Sequence, residues 1–159
     1  MALPWDAIED ASDDSGIPEN IIAAIVLTES SGDKYAVRFE KDYRWTFKIK
    51  DCAEQARVTE LTEMMLQCTS FGLMQVMGAV GRELGLGGSI LQLLDPKVNL
   101  KYGCLLIKRL AKKYKEKSDI FAAYNAGSAI KTIKGEYKNQ HYVDKVLDNL
   151  TAIEAVRGG

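Results

Sequence analysis

The sequence predicts a mostly α, single-domain fold, and three observations carry that reading. Apolar residues recur at helical spacing in several separate stretches, whereas strand-like alternation is weak. The chain has 159 residues, enough for one real core and too few for two domains of ordinary size. Apolar residues make up 47% and charged residues 27%, a globular balance. The formal net charge of −1 argues against a protein that grips nucleic acid by bulk charge. The longest apolar run, Ile21 to Leu27, falls far below the ~20 residues that span a bilayer, so no integral membrane segment is expected. MALPWDAIEDASDDSG has neither the basic nor the apolar region of a secretory leader, so synthesis and retention in the cytoplasm are expected.

Each element follows from local signals. Asp13, Asp14, Ser15 and Gly16 read as a polar lead-in. Pro18 suits a first helical turn and Glu19 the positive helix end, so the first helix is expected from about Pro18 to Ser30, stopped by Gly32. GDKYAVRFEKDYRWTFKIKD has no clear period and reads as an irregular excursion. A second helix is expected from about Ala53 to Gln67, with Leu61, Met64, Met65 and Cys68 as its apolar stripe. TSFGLMQVMGAVGRELGLGG reads as a loop entering a short helix closed by Gly85, Gly87 and Gly88. Asp95 is the expected N-cap and Pro96 the first residue of a long helix, along which Val98, Tyr102, Leu106, Leu110 and Tyr114 fall four apart. Another helix starts near Asp119 and ends at Asn125 and Gly127. The last covers about Tyr142 to Ala155 and buries Val143, Val146, Leu147 and Leu150. The basic run from Lys108 to Lys117 reads as a solvated face.

Cys52, Cys68 and Cys104 are irregularly spaced and the chain has one histidine, His141, so no zinc template fits and free thiols are expected. No metal and no cofactor are implied.

Ile22, Ile25, Val26 and Glu29 occupy positions i, i+3, i+4 and i+7 of the first helix, hence one face. Glu29 then projects from the inward stripe at the helix C-terminus. Desolvation and the negative end of the helix dipole both raise a carboxyl pKa there. A carboxyl that stays protonated near neutrality is what a general acid in glycoside cleavage needs. From spacing alone, a glutamate that snorkels to solvent is the more ordinary reading.

Glu29-Ser30, Gly72-Leu73-Met74-Gln75, Ala123-Tyr124-Asn125-Ala126-Gly127 and Tyr142-Val143-Asp144-Lys145-Val146-Leu147 occur in that order. Together, over about Gly16 to Leu150, they resemble the soluble lytic transglycosylase family, relatives of goose-type lysozyme. The resemblance implies a lysozyme-like fold with a groove for glycan strands of peptidoglycan. It makes Glu29 the catalytic acid and Ser30 the residue that orients it. It places Gly72, Leu73, Met74 and Gln75 along the groove, with Gln75 offering polar contacts to sugar and Met74 an apolar wall. Tyr124 is expected to point toward the carboxyl, with Asn125 beside it, and Tyr142 to be an aromatic of the last motif.

The implied reaction cleaves the β-1,4 bond between N-acetylmuramic acid and N-acetylglucosamine and closes a 1,6-anhydro ring. The alternatives are a muramidase that hydrolyses the same bond with water, and a catalytically silent wall-binding or virion structural protein. A hydrolase needs help with water; a loop could bring Asp33, Glu40 or Asp42 across the groove, and Glu40 is the first candidate for a second carboxylate, because its aromatic setting of Phe39, Tyr43 and Trp45 could bury it.

The chain departs from the family in one region. Glu29 and Gly72 are separated by 42 residues, more than is usual, so an insertion is expected at about 38–68. Arg38 stands where many relatives carry a small serine. The insertion, with RFE and YRW, is similar to transglycosylase-like proteins of bacteriophages. That similarity implies virion proteins, or a holin-type pore, as the means of reaching a periplasmic or extracellular wall.

Overall fold

The computed structural model describes residues 3–157 and is mostly helical. Its elements are α1 (Trp5–Ser15), α2 (Glu19–Ser30), β1 (Val37–Phe39), α3 (Ile49–Ala56), α4 (Glu60–Gln67), β2 (Thr69–Phe71), β3 (Val76–Met77), α5 (Gly78–Glu83), a 3-10 turn (Ile90–Leu94), α6 (Pro96–Lys113), α7 (Lys117–Ala126) and α8 (Gln140–Arg157). Among the described residues no helix is long and apolar enough to cross a membrane.

The core forms where the most apolar helix meets the others. Ile22, Ala23, Ala24, Ile25 and Val26 of α2 are all fully buried, and α2 packs along α8 at Val146, Leu150 and Ile153. Each isoleucine contributes about 1.5–3 kcal/mol by leaving water. The long helix α6 begins as expected. The Asp95 carboxylate accepts from the Lys97 and Val98 amides, and Pro96 occupies the first turn. Tyr102, Leu106 and Leu110 of its stripe are buried. The free thiols Cys52, Cys68 and Cys104 are buried too.

Three expectations need correction. Asp13, Asp14 and Ser15 are not a lead-in; they form the last turn of α1, which Gly16 closes at φ +73°. This helix has only Ile8 fully buried, so its period is faint in the sequence. It is fixed by tertiary contacts instead. The Arg157 guanidinium lies 3.9 Å over the Trp5 ring and pairs with Glu9 and Glu19.

The expected helix over 53–67 is two helices, α3 and α4, broken at Arg57 in left-handed conformation (φ 56°). Thr59 restarts the chain by accepting from the Thr62 amide. The expected apolar stripe of α4 is inverted. Leu61, Met64 and Met65 are 62%, 42% and 50% exposed, while Glu63 and Gln67 are fully buried. The cause is Arg82 of α5, itself buried. Its Nε and Nη2 donate to the two Glu63 oxygens at 2.7 and 2.9 Å, and its Nη1 donates to the Leu86 carbonyl at 2.7 Å. Gln67 Nε2 donates to Glu63 at 2.9 Å and to the Phe47 carbonyl at 2.8 Å, and its Oε1 accepts from the Phe47 amide. The polar edge of α4 therefore faces inward because its partners are there.

The third correction concerns strands. β1, β2 and β3 form a small antiparallel sheet in that order, with Arg38 opposite Ser70 and Phe71 opposite Val76. The sheet joins the irregular excursion to the β2–β3 hairpin, whose tip is the Gly72–Gln75 turn.

Candidate active site

The cleft forms where the C-terminus of α2 meets the β2–β3 turn, α7 and α8. Three tethers, from Asn99, Ser30 and Tyr124, shape its floor. Gly72 sits at φ +70°, and a Cβ there would lie 2.7 Å from the Leu93 carbonyl, so the position needs glycine. Asn99 of α6, fully buried, donates from Nδ2 to the Phe71 and Leu93 carbonyls and accepts from the Met74 amide. Ser30 Oγ donates to the Leu73 carbonyl at 2.7 Å, and the Tyr124 hydroxyl donates to the Met74 carbonyl at 2.8 Å. The turn is thus fastened to α2, α6 and α7 at once.

Glu29 stands one turn beyond the buried stripe of α2 and lines a cavity of about 570 Å³ together with Gln75, Tyr124 and Asn125. Its Oε1 accepts from the Tyr142 hydroxyl at 2.6 Å. Burial raises the carboxyl above its ordinary pKa of 4.5. The Tyr142 hydrogen bond and the charges of Arg38 and Lys145 pull against that, Glu40 adds to it, and the net direction is upward. Lys145 Nζ also donates to the Thr28 carbonyl at 2.9 Å, placing a cation on the negative end of α2. Burial and the neighbouring Glu29 charge push both Tyr124 and Tyr142 well above the ordinary phenol value, so both stay protonated donors.

The structure places the other sequence candidates unevenly. Asn125 is exposed on the cleft, and its Oδ1 accepts from Asn139 Nδ2 at 2.9 Å. It remains helical; Gly127, in left-handed conformation, ends α7. Leu73 and Met74 are core residues. Met74 is fully buried where α6 comes close, and a Cβ on Gly103 would lie 2.3 Å from its Sδ. Met74 offers the cleft no apolar wall; Met77 and Val80 line it instead. Gln75, expected to reach sugar, is a brace. Its Nε2 donates to the Ala36 and Gly72 carbonyls, both at 3.0 Å, and its Oε1 accepts from Ser70.

Glu40 lies in the same cleft, but aromatic side chains do not enclose it. Phe39 and Trp45 are 54% and 72% exposed, and the Glu40 carboxylate is ion-paired with Arg38 Nε. Sequence reasoning missed Asn99, Lys145 and the Arg38 pairing. Asn99, a polar residue between Val98 and Leu100 on an apolar helix, is the one that left a local signal. Among the described residues no group of three or more His, Cys, Asp or Glu side chains is placed to hold a metal ion.

The site therefore offers one desolvated, hydroxyl-bonded carboxyl at the edge of an open cleft, beside a rigid turn. Such a group can deliver a proton to a bound oxygen and take one back. No curated protein matches the chain significantly. The family model described as Transglycosylase SLT domain matches residues 6–145, which takes in every element from α1 into α8. By that match the chain belongs to the transglycosylase SLT family, whose members cleave peptidoglycan glycan strands.

Proposed function

We propose that the protein is a lytic transglycosylase in which Glu29 is the single acid and base. Its carboxyl protonates the oxygen bridging N-acetylmuramic acid to N-acetylglucosamine. The C1–O bond breaks, and the N-acetylglucosamine side leaves as the 4-hydroxyl. The oxocarbenium-like centre at the muramic acid C1 is assisted by that sugar's own N-acetyl group. Glu29, now a carboxylate, takes the proton from the C6 hydroxyl as O6 bonds to C1. A 1,6-anhydro ring closes, Glu29 regains its proton, and no water is consumed. A raised pKa suits a group that alternates between the two forms near neutrality.

The observation that carries this reading is the contrast between Glu29 and Glu40 in the cleft. Glu29 is desolvated and held by Tyr142, whereas Glu40 is neutralised by Arg38. Most glycoside hydrolases need two working carboxylates; of the other carboxylates lining this cleft, Glu40 is ion-paired and Asp42 is exposed, so Glu29 is the one held desolvated. Ser30, through the Leu73 carbonyl, and Tyr142 would orient the acid, and Tyr124 and Asn125 would face substrate.

Digestion of purified sacculi followed by mass spectrometry of the released muropeptides tests the reading. Anhydro ends, lighter than hydrolysed ends by one water, are expected. Hydrolysed ends would instead assign the muramidase reaction and return Glu40 to the mechanism. Access to the wall as a phage virion component or through a phage pore belongs to the same proposal, and it is supported by the likeness of the RFE and YRW region to phage proteins.

A further inference from the structure

We propose that Trp45 is a stacking platform for a sugar of the glycan strand other than the one whose bond Glu29 protonates. The proposal rests on the reading of the cleft as a glycan-cleaving site. It assigns a role to the 40–47 loop, which that mechanism leaves unused.

Trp45 is 72% exposed and yet lines the same cavity as Glu29. A large exposed aromatic in a cleft is an interaction surface when its position is fixed. Here the loop is fastened at both ends. At one end the Glu40 amide donates to the Cys68 carbonyl at 2.8 Å, and the Tyr43 amide donates to the Glu40 carbonyl at 3.0 Å. At the other, Phe47 is held through its amide and its carbonyl by the buried Gln67. Gln67 is in turn locked by the Glu63–Arg82 pair. Between these anchors the Tyr43 ring meets the Trp45 ring edge-on, centroids 5.5 Å apart at 74°. The indole is therefore a preorganised flat surface, which lowers the entropic cost of binding to it.

The chemistry that fits such a surface is the C–H face of a pyranose, with polar groups alongside for hydroxyl and acetamido substituents. Arg38, Lys41 and Asp42 line the same cleft as Trp45 and supply those groups. The platform and the acid stand on different elements of one cavity, Trp45 in the 40–47 loop and Glu29 at the end of α2. Glu29 is engaged by Tyr142, whereas the Trp45 ring is met by Tyr43. A strand that touches both elements presents different sugars to them.

The chain has two tryptophans, Trp5 and Trp45. In a Trp5→Phe/Glu29→Gln double variant, Trp45 is the sole indole and turnover is blocked. Titration with N-acetylglucosamine oligomers and, separately, with muramic acid-containing strands is expected to shift its emission saturably, more strongly for longer chains. A shift with both classes assigns the shared pyranose face, and a shift with one identifies which sugar occupies the platform. In the otherwise unaltered protein, Trp45→Ala is expected to raise KM for long strands about ten-fold with kcat kept, the mark of lost uniform binding. Trp45→Phe is expected to restore most of that loss. Unchanged emission with both ligand classes, or an unchanged KM in Trp45→Ala, overturns the platform while Glu29-dependent cleavage stands. A protein that neither cleaves nor binds glycan overturns the enzymatic reading and the platform with it.

Discussion

Glu29→Gln is expected to reduce glycan cleavage by about 10²–10⁴-fold or more, the contribution of a positioned general acid and base. Glutamine keeps the shape and the oxygen that accepts from Tyr142 but has no acidic proton to transfer. The fold is expected to survive, and its response to pH gives a second readout. Burial raises the folded-state pKa of Glu29 above the ordinary 4.5. The stability linked to that group is then fully present below the unfolded value and is lost as pH rises through the folded value. At neutral pH the wild-type chain holds a carboxyl that ionisation would strain. Glu29→Gln is therefore expected to melt at or above the wild-type temperature at neutral pH, with the difference vanishing below pH 4.5. Thermal melts of both proteins across the acidic range check this. Loss of activity together with a lower melting temperature at every pH would make Glu29 a structural residue instead.

Arg82→Met is expected to have the largest effect on stability. It strands the Glu63 carboxylate, fully buried, without the two guanidinium donors that satisfy it. Removing one partner of a buried ion pair costs about 3–5 kcal/mol. For a chain of this size that is a fall in melting temperature of about 10 °C or more. Burial alone would raise the Glu63 pKa, but Arg82 and Gln67 outweigh it and hold the group below its ordinary value. Wild-type stability from this pair is therefore present above the unfolded value and lost as pH falls through the folded one. In Arg82→Met the isolated carboxyl prefers its proton, so the deficit relative to wild type is expected to shrink on acidification. Glu63→Leu/Arg82→Met, which removes both charges, is expected to recover most of the loss. A double variant no more stable than Arg82→Met would show that the pair is not the source of the cost.

The parts of the fold visible in the sequence are those where hydropathy and caps decide structure locally. The stripe of α2 and the Asp95–Pro96 start of α6 are of that kind, and both stand where their residues place them. Elements set by distant partners left no such trace. Leu61, Met64 and Met65 suggest an apolar face for α4, yet the Arg82–Glu63 pair turns the opposite face inward. The strands of the small sheet span two or three residues, too short for a period of two to be read. Acidic α1 is held by partners far away in the chain, among them Lys97 on Asp10 and Arg157 on Trp5 and Glu9.

The site divides in the same way. Helical spacing places Glu29 on the inward face, and the family motifs name Tyr124, Asn125 and Tyr142. Roles that depend on hydrogen-bond geometry do not follow from residue type. Gln75 has the chemistry of a sugar ligand, but both its N–H groups are taken by backbone carbonyls. Met74 has the chemistry of a cleft wall, but Gly103 lets α6 close over it.

The most direct test is the ionisation of the Glu29 side chain itself. Carboxyl carbon NMR of glutamate-labelled protein, with Glu29→Gln to assign the resonance, gives its midpoint. A midpoint above the ordinary 4.5 is expected, because burial outweighs Tyr142, Arg38 and Lys145. A midpoint at or below that value would mean the carboxyl is already ionised when the sugar oxygen needs its proton, contradicting Glu29 as the acid.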